Sequence, residues 1–408
     1  MKIIQISTSV DNGSITGIMN GISKCASTKG HQWYIAYGRG EKRSAGQYYK
    51  FGKKRSVILH ILRTFITGKT GFSSKADTKR LLKWISKIKP DIIHLHNLHG
   101  YYINIEMLFA FIEKKSIPVV WTLHDCWAYT GHCAYYDMAE CDKWQTGCKQ
   151  CPVHRKAYPY AILRDNSAQN FRLKKSIFTS LNQIHIITPS RWLANEAEKS
   201  FLNKYRIDVI PNGIDTELFR ILKKDSLRSQ YQIPQDKIVI LGAAYCWEAR
   251  KGLDYLLQLA TELPQEYVIV LVGLSDKKIS EIEKKYHGKI IGLKRTRNKK
   301  EMAEIFNCAD LFCNPTLEDN FPTTNLEALA CGIPVFTFAT GGSAESITSL
   351  CGKVIERGDY NQLKDSILNY KITDYSPLNC RKRAMEFCEK KQLEKYIVLY
   401  EKIRQEGM

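Results

Sequence analysis

Short apolar runs recur along the chain, and between them apolar residues fall three or four positions apart. In the first half the runs are Lys2–Ile6, Gln32–Ala36, Asp91–Leu95, Val119–Leu123 and Ile184–Thr188. Each has the length of a buried strand, and segments of helical period fall between them. That alternation predicts a parallel sheet with crossover helices. A second series follows at Ile238–Leu241, Tyr267–Val272, Ile290–Ile291, Leu311–Cys313 and Val335–Phe338. Between the two series, Ile207–Asp215 reads as a strand ending in a turn, and the charged run from Lys223 to Asp236 is expected to be a hinge. The fold class is therefore α/β: two Rossmann-like parallel-sheet domains facing across a cleft, residues 1–205 and 206–380, with a charged helix over 381–408. Such a cleft is a common place for a ligand.

The pattern is most specific from Asn314 to Val335, which reads as strand, acidic turn, helix, stop, strand. Pro322 suits a first helical turn, Leu326, Leu329 and Ala330 make an inward face, and Gly332 and Pro334 end the helix. At the helix start, the N–H groups of Thr323, Thr324 and Asn325 are expected to point outward unpaired, with the positive end of the dipole behind them. That suits a phosphate. Asp319 precedes the helix and Glu327 lies within it. Acids beside an anion site make sense as acceptors for hydroxyls, such as a ribose and a sugar, flanking a diphosphate. The plainer reading, a helix capped by acids with Glu327 on a solvated face, stays open on spacing alone.

Other candidates lie at the carboxyl ends of strands, where α/β folds place ligand residues. Lys251-Gly252, preceded by Arg250, opens a helix after the first strand of the second series. Gly341-Gly342 follows Val335–Phe338, and paired glycines permit close approach of backbone to a ligand or simply a tight turn. In the first half, the loop Asp11–Gly17, with Gly13, opens a helix, and His124 ends the strand Val119–Leu123. His94, His96 and His99 cluster at another strand end. They could line an acceptor pocket; as a metal cluster with His124 they lack a carboxylate partner within the segment.

The segment from Thr130 to Pro152 holds Cys133, Cys141, Cys148 and Cys151, with His132 beside them and one CxxC pair. The spacing suits a tetrahedral structural zinc that staples a long loop; reduced thiols or a redox pair are the alternatives.

Charge changes the picture in one respect. The formal net charge is +20, with much of the excess in Lys53–Arg55 and between Lys75 and Lys89, where Leu81, Leu82, Trp84 and Ile88 interleave. A basic amphipathic helix is expected to meet an anionic membrane surface or to be a solvated face. No motif with interleaved base-stacking aromatics points to nucleic acid, so no nucleic-acid partner is expected. No run is long enough to span a bilayer, and MKIIQISTS reads as a first strand rather than an export signal. A cytoplasmic protein with reduced cysteines is the expectation.

The stretch DNFPTTNLEALACGIPV, with PNGID at 211–215 and Lys251-Gly252, resembles the acid-x7-Glu segment and flanking motifs of retaining glycosyltransferases of family 4. The resemblance extends over essentially the whole chain. It departs from the family's pattern at Asp319, where Glu is usual, with Glu318 just before it, and at Cys246, where many relatives carry Arg. It implies the GT-B fold, with a terminal helix crossing back to the first domain. It also implies transfer of a hexose from a nucleotide-diphosphate sugar, a UDP-sugar, to a hydroxyl of a lipid-linked glycan. The setting would be O-antigen, capsule or exopolysaccharide assembly, peripheral on the inner face of the plasma membrane. Lys251, with the second cation either missing at Cys246 or supplied by Arg250, and the Thr323 helix start would take the diphosphate, Glu327 the ribose, and Asp319 and His124 the donor sugar. The loops at Gly13 and at Gly341-Gly342 would abut the donor, and the backbone at Lys294–Arg297 the base. No cofactor is required for that chemistry, and any zinc at the cysteines would be structural. A subset of similar sugar transferases shares the TGHC…C…GC..CP pattern. The alternatives are a GT-B nucleotide-sugar epimerase and a catalytically degenerate glycan- or nucleotide-binding protein.

Overall fold

A computed structural model describes residues 1–11, 13–44 and 46–406; Asn12 in the Asp11–Gly17 loop, Ala45, Gly407 and Met408 lie outside the described residues. The chain divides into two compact units, Met1–Pro211 together with Gln392–Met408, and Asn212–Lys391.

The first unit is built on β1 (Lys2–Ser9), β2 (Gln32–Arg39), β3 (Tyr48–Lys50), β4 (Ile92–Leu95), β5 (Val119–Thr122), β6 (Ile184–Thr188) and β7 (Arg206–Val209). Their order is β3-β2-β1-β4-β5-β6-β7, all parallel. Ile3, Ile4, Ile6, Ile92, Ile93, Val119 and Val120 are fully buried, as strands covered by helices on both faces require. Strand order reverses between β1 and β4, which opens a crevice at their carboxyl ends. Because β7 pairs with β6, the division between units falls after Pro211 rather than at residue 205.

The basic helix Lys75–Ile88 spends its apolar face on folding. Leu81 and Ile85 are fully buried and Trp84 stacks on Tyr49 with ring centroids 4.6 Å apart, so Lys75, Lys79, Lys83 and Lys87 form the solvated face. The uncovered aliphatic surface lies one helix earlier. On Lys54–Thr67, Ile58, Leu59, Leu62 and Ile66 are 47%, 60%, 49% and 52% exposed.

The second unit carries β8 (Ile238–Ala243), β9 (Tyr267–Leu274), β10 (Ile290–Lys294), β11 (Leu311–Asn314), β12 (Val335–Phe338) and β13 (Gly352–Ile355). The parallel order β10-β9-β8-β11-β12-β13 reverses between β8 and β11. The expected hinge from Lys223 to Asp236 is an anchor of this unit instead. It forms the helix Lys224–Gln230, whose Arg228 is 4% exposed and donates to the carbonyl of Cys308 and the carboxylate of Asp310.

Residues 381–408 are not one helix. Pro377–Met385 stays in the second unit, with Cys380 and Ala384 fully buried. Glu389–Glu406 follows, and Tyr396, Ile397, Tyr400 and Ile403 along one face pack with Ile3, Ile92, Val120 and Ile187 of the first sheet. That spacing is a single helical stripe. None of the described helices is long and apolar enough to cross a membrane.

Candidate active site

In the second unit the chemistry collects at the β8/β11 reversal. After β8 the chain makes a short turn at Ala249–Lys251 and passes through Gly252, with φ of 71°, into the helix Leu253–Glu262. A Cβ on Gly252 would lie 2.0 Å from the carbonyl oxygen of Pro315, so only glycine lets the two loops approach this closely. The β11 loop is tied to the same turn, since Leu317 N–H donates to Arg250 O at 2.7 Å and Arg250 Nη1 to Glu318 O at 3.1 Å. The result sets Lys251 against Asp319, with Nζ to Oδ2 at 2.5 Å and side chains 22% and 13% exposed. Arg250 also pairs with Glu248.

Four residues beyond Asp319 begins the helix Thr323–Ala330, behind Pro322. Its first turn has neither a side-chain cap nor an acid. The N–H groups of Thr323 and Thr324 precede any intrahelical acceptor and are oriented for an anion. Asn325 corrects the expectation: its N–H donates to Pro322 O at 3.3 Å, and its side chain is fully buried. There Asn325 accepts from Asn314 Nδ2 at 2.8 Å and donates to Ser343 Oγ at 3.1 Å. Asn325 is therefore a strut. It joins the helix start to the loop after β12 that contains Gly341, with φ of 51°, and Gly342. Glu327, one turn into the helix, is half-buried, and desolvation raises its carboxyl to about 7 against the opposing pull of Lys299. Such a group can both accept from and donate to hydroxyls near neutral pH.

In the first unit, His124 follows β5 and bonds through Nε2 to His96 Nδ1 at 3.1 Å. His96 in turn meets Gln5 Oε1 at 3.0 Å, and Gln5 Nε2 donates to Met19 O and Ser23 Oγ. Burial holds His124 down at about 4, with Asp125 raising and His99 lowering it, so the ring is neutral at pH 7. His99 pairs with Asp125 at 2.7 Å. His94 is fully buried and clamps the C-terminal helix, with Nδ1 2.6 Å from Tyr400 Oη and Nε2 2.8 Å from Thr122 Oγ1. Gly13 is exposed at the start of the helix Ser14–Thr28, which also lacks a side-chain cap.

Sequence reasoning passed over the supports of these sites. Gln5 is a lone amide inside an apolar strand, and Asn314 and Thr337 are polar groups in or at the end of apolar strands. A polar residue in a run otherwise buried on both faces was the available signal, because it must find a partner there.

Among the described residues, no three His, Cys, Asp or Glu side chains are arranged to hold a metal ion. None of the thirteen cysteines is in a disulfide, Cys133, Cys141, Cys148 and Cys151 included.

Comparison with known proteins agrees with this architecture. The Glycosyltransferase Family 4 model matches residues 20–218, and the Glycosyl transferases group 1 model matches residues 223–387. The chain is 24% identical to the putative colanic acid biosynthesis glycosyl transferase WcaC of Escherichia coli, over 99% of this chain and all of that protein. Among solved structures, sucrose-phosphate synthase of Thermosynechococcus elongatus aligns with a TM-score of 0.71 at 16% identity, covering 99% of each chain. HepE of Anabaena, solved in complex with UDP and glucose, aligns at 0.67 and 15% identity, covering 98% of this chain and 100% of that one. These structures share the GT-B fold, and with both family models matched in order, the chain belongs to glycosyltransferase family 4 and is a glycosyltransferase.

Proposed function

We propose that this enzyme transfers a hexose, with retention, from a UDP-sugar to a hydroxyl of a lipid-linked glycan in the assembly of a surface polysaccharide, O-antigen, capsule or exopolysaccharide. The carrying observation is the Lys251–Asp319 pair placed beside the uncapped start of the helix Thr323–Ala330. A departing diphosphate needs fixed positive charge, and an ammonium with two outward N–H groups supplies it by preorganisation. Lys251 then exchanges part of its bond to Asp319 for phosphate oxygen, leaving the Asp319 carboxylate to accept from a donor-sugar hydroxyl. Glu327 takes the ribose diol. The loop at Gly341-Gly342 takes the donor side of the same strand-end rim. In the first unit, neutral His124 is a hydrogen-bond partner for a sugar hydroxyl rather than a charge. No enzymic nucleophile is assigned: the leaving phosphate oxygen accepts the proton of the attacking hydroxyl on the same face. No cofactor is needed for these steps.

The polysaccharide setting rests on the name of the Escherichia coli relative, and the UDP donor on the ligands of the Anabaena structure. The membrane setting, at the cytoplasmic surface, rests on the helix Lys54–Thr67. Its exposed aliphatics Ile58, Leu59, Leu62 and Ile66 are accompanied by Lys53, Lys54, Arg55 and Arg63, the composition of an interfacial helix on anionic lipid.

The test is nucleoside diphosphate release from a panel of nucleotide hexoses, with and without a membrane extract. Extract-dependent release that falls by roughly 10²–10³-fold in Lys251→Ala, with melting unchanged, is the expected result. Donor epimerised without extract would make the protein an epimerase, and binding without either reaction a degenerate transferase. Wild-type turnover in Lys251→Ala removes the site assignment.

A further inference from the structure

The loop that follows His124 contains a second constellation which the transfer reaction does not use. Cys133, Cys141, Cys148 and Cys151 all line one small cavity of about 20 Å³ in the first unit. That is room for a single water-sized body. The wall is almost wholly apolar or sulfur, so water would find few partners there.

A backbone donor is already turned towards the sulfurs. Gly131 N–H donates to Cys148 Sγ at 3.1 Å. Donors of this kind stabilise a sulfur that carries negative charge. A cation waits behind them. Lys174 is fully buried, donates to the carbonyl of Trp127, and lies 3.7 Å above the Trp127 ring. Burying an ammonium is costly unless opposite charge is near, and the groups whose ionised forms favour its charge are Cys148, Cys133 and Asp125. Asp125 offers part of that compensation throughout, and Cys148 and Cys133 add theirs only as metal-bound thiolates. His132 also lines the cavity, with Nε2 3.3 Å from Ala157 O, and the four cysteines by themselves make up a full tetrahedral set.

We propose that Cys133, Cys141, Cys148 and Cys151 bind one structural zinc ion, which draws the four sulfurs inward onto this cavity. In the described structure they line its wall without being closed into a ligand set. Each thiol loses its proton to solvent as the Zn–S bond forms, and the tetrathiolate centre carries two net negative charges, one of which Lys174 offsets. No position is left open for substrate, so the ion staples the loop and takes no part in transfer.

The experiment is metal analysis of the purified full chain, followed by titration with an organomercurial that displaces thiolate-bound zinc. About one zinc per chain, released as four thiols react, is expected. Cobalt(II) added to the stripped protein should give intense thiolate-to-cobalt absorption with tetrahedral d–d bands. Stripping should lower the melting temperature by about 5 °C or more. Cys148→Ser and Cys133→Ser should each lose the metal, while Cys246→Ser, at an exposed thiol away from the loop, should keep it. Where a loop variant fails to fold, the mercurial titration of the wild-type chain still decides. Metal-free protein that gives no cobalt spectrum overturns the proposal. So do zinc retained in Cys148→Ser, a disulfide between any two of the four, and an iron-containing chromophore.

Discussion

Two aspartates stand at opposite ends of β11, and each holds a basic side chain. At the amino end, Asp310 bonds Arg228 at 2.6 Å, with side chains 4% and 5% exposed, and also accepts from Lys224 and from Val239 N–H. At the carboxyl end, Asp319 bonds Lys251 alone among the described salt bridges, and both side chains keep contact with solvent. The first arrangement satisfies every buried charge with protein groups and leaves no valence for a ligand. The second is a single, accessible pair at the point where strand order reverses, beside outward N–H groups. A parallel sheet thus uses one end for cohesion and the other for chemistry. Burial and the number of partners, not residue type, tell them apart.

The sharpest way to break this comparison is Arg228→Ala. It leaves Asp310 buried with one partner fewer, and should cost about 3–5 kcal/mol in denaturant unfolding of the second unit. A loss below about 1 kcal/mol would mean that the amino-end network is no more cohesive than a surface pair.

A smaller effect of opposite sign is expected at Glu327→Gln. Burial raises the Glu327 carboxyl to about 7 in the folded chain, from an ordinary value of 4.5. The folded state therefore holds a proton that the unfolded state releases, and wild-type stability falls as pH rises from about 4.5 to about 7, with no further change above. Gln carries no such charge. The variant should be more stable than wild type by up to about 3 kcal/mol at pH 8 and no more stable at pH 4, while its activity drops. Equal stability at both pH values would show that the carboxylate is not desolvated.

The smallest effect belongs to the Lys251–Asp319 pair itself. A double-mutant cycle with Lys251→Met and Asp319→Asn should give a stability coupling of about 0.2–1 kcal/mol, whereas both single variants lose activity. Coupling above about 3 kcal/mol would make this pair a structural element like Arg228–Asp310, and the division between the ends of the sheet would fail.

The histidines extend the same lesson to the first unit. His94 and His96 are neighbours in the sequence, and His124 follows the next strand. Yet His94 ends inside the core, on Tyr400 of the C-terminal helix, and His124 alone sits at the strand end with partial exposure. A polar side chain on a strand points to one face or the other with period two, and what covers each face is set by distant elements.

The sequence by itself determined the interior strands, because a strand covered on both faces must be a run of apolar residues, as in β1, β5, β9 and β12. It also determined the helix at Thr323 through Pro322 and Gly332, and the acid-x7-Glu spacing that revealed the family. Edge strands β3 and β13 escaped it, since Tyr48–Lys50 and Gly352–Ile355 are short, polar and half covered. Only the tertiary structure decided that Arg228 anchors rather than hinges, that Asn325 is a strut, and that the face of Lys75–Ile88 is core while that of Lys54–Thr67 is not. Local periodicity reports which residues share a face. Whether that face meets protein or water depends on elements far away in the chain, and periodicity carries no record of them.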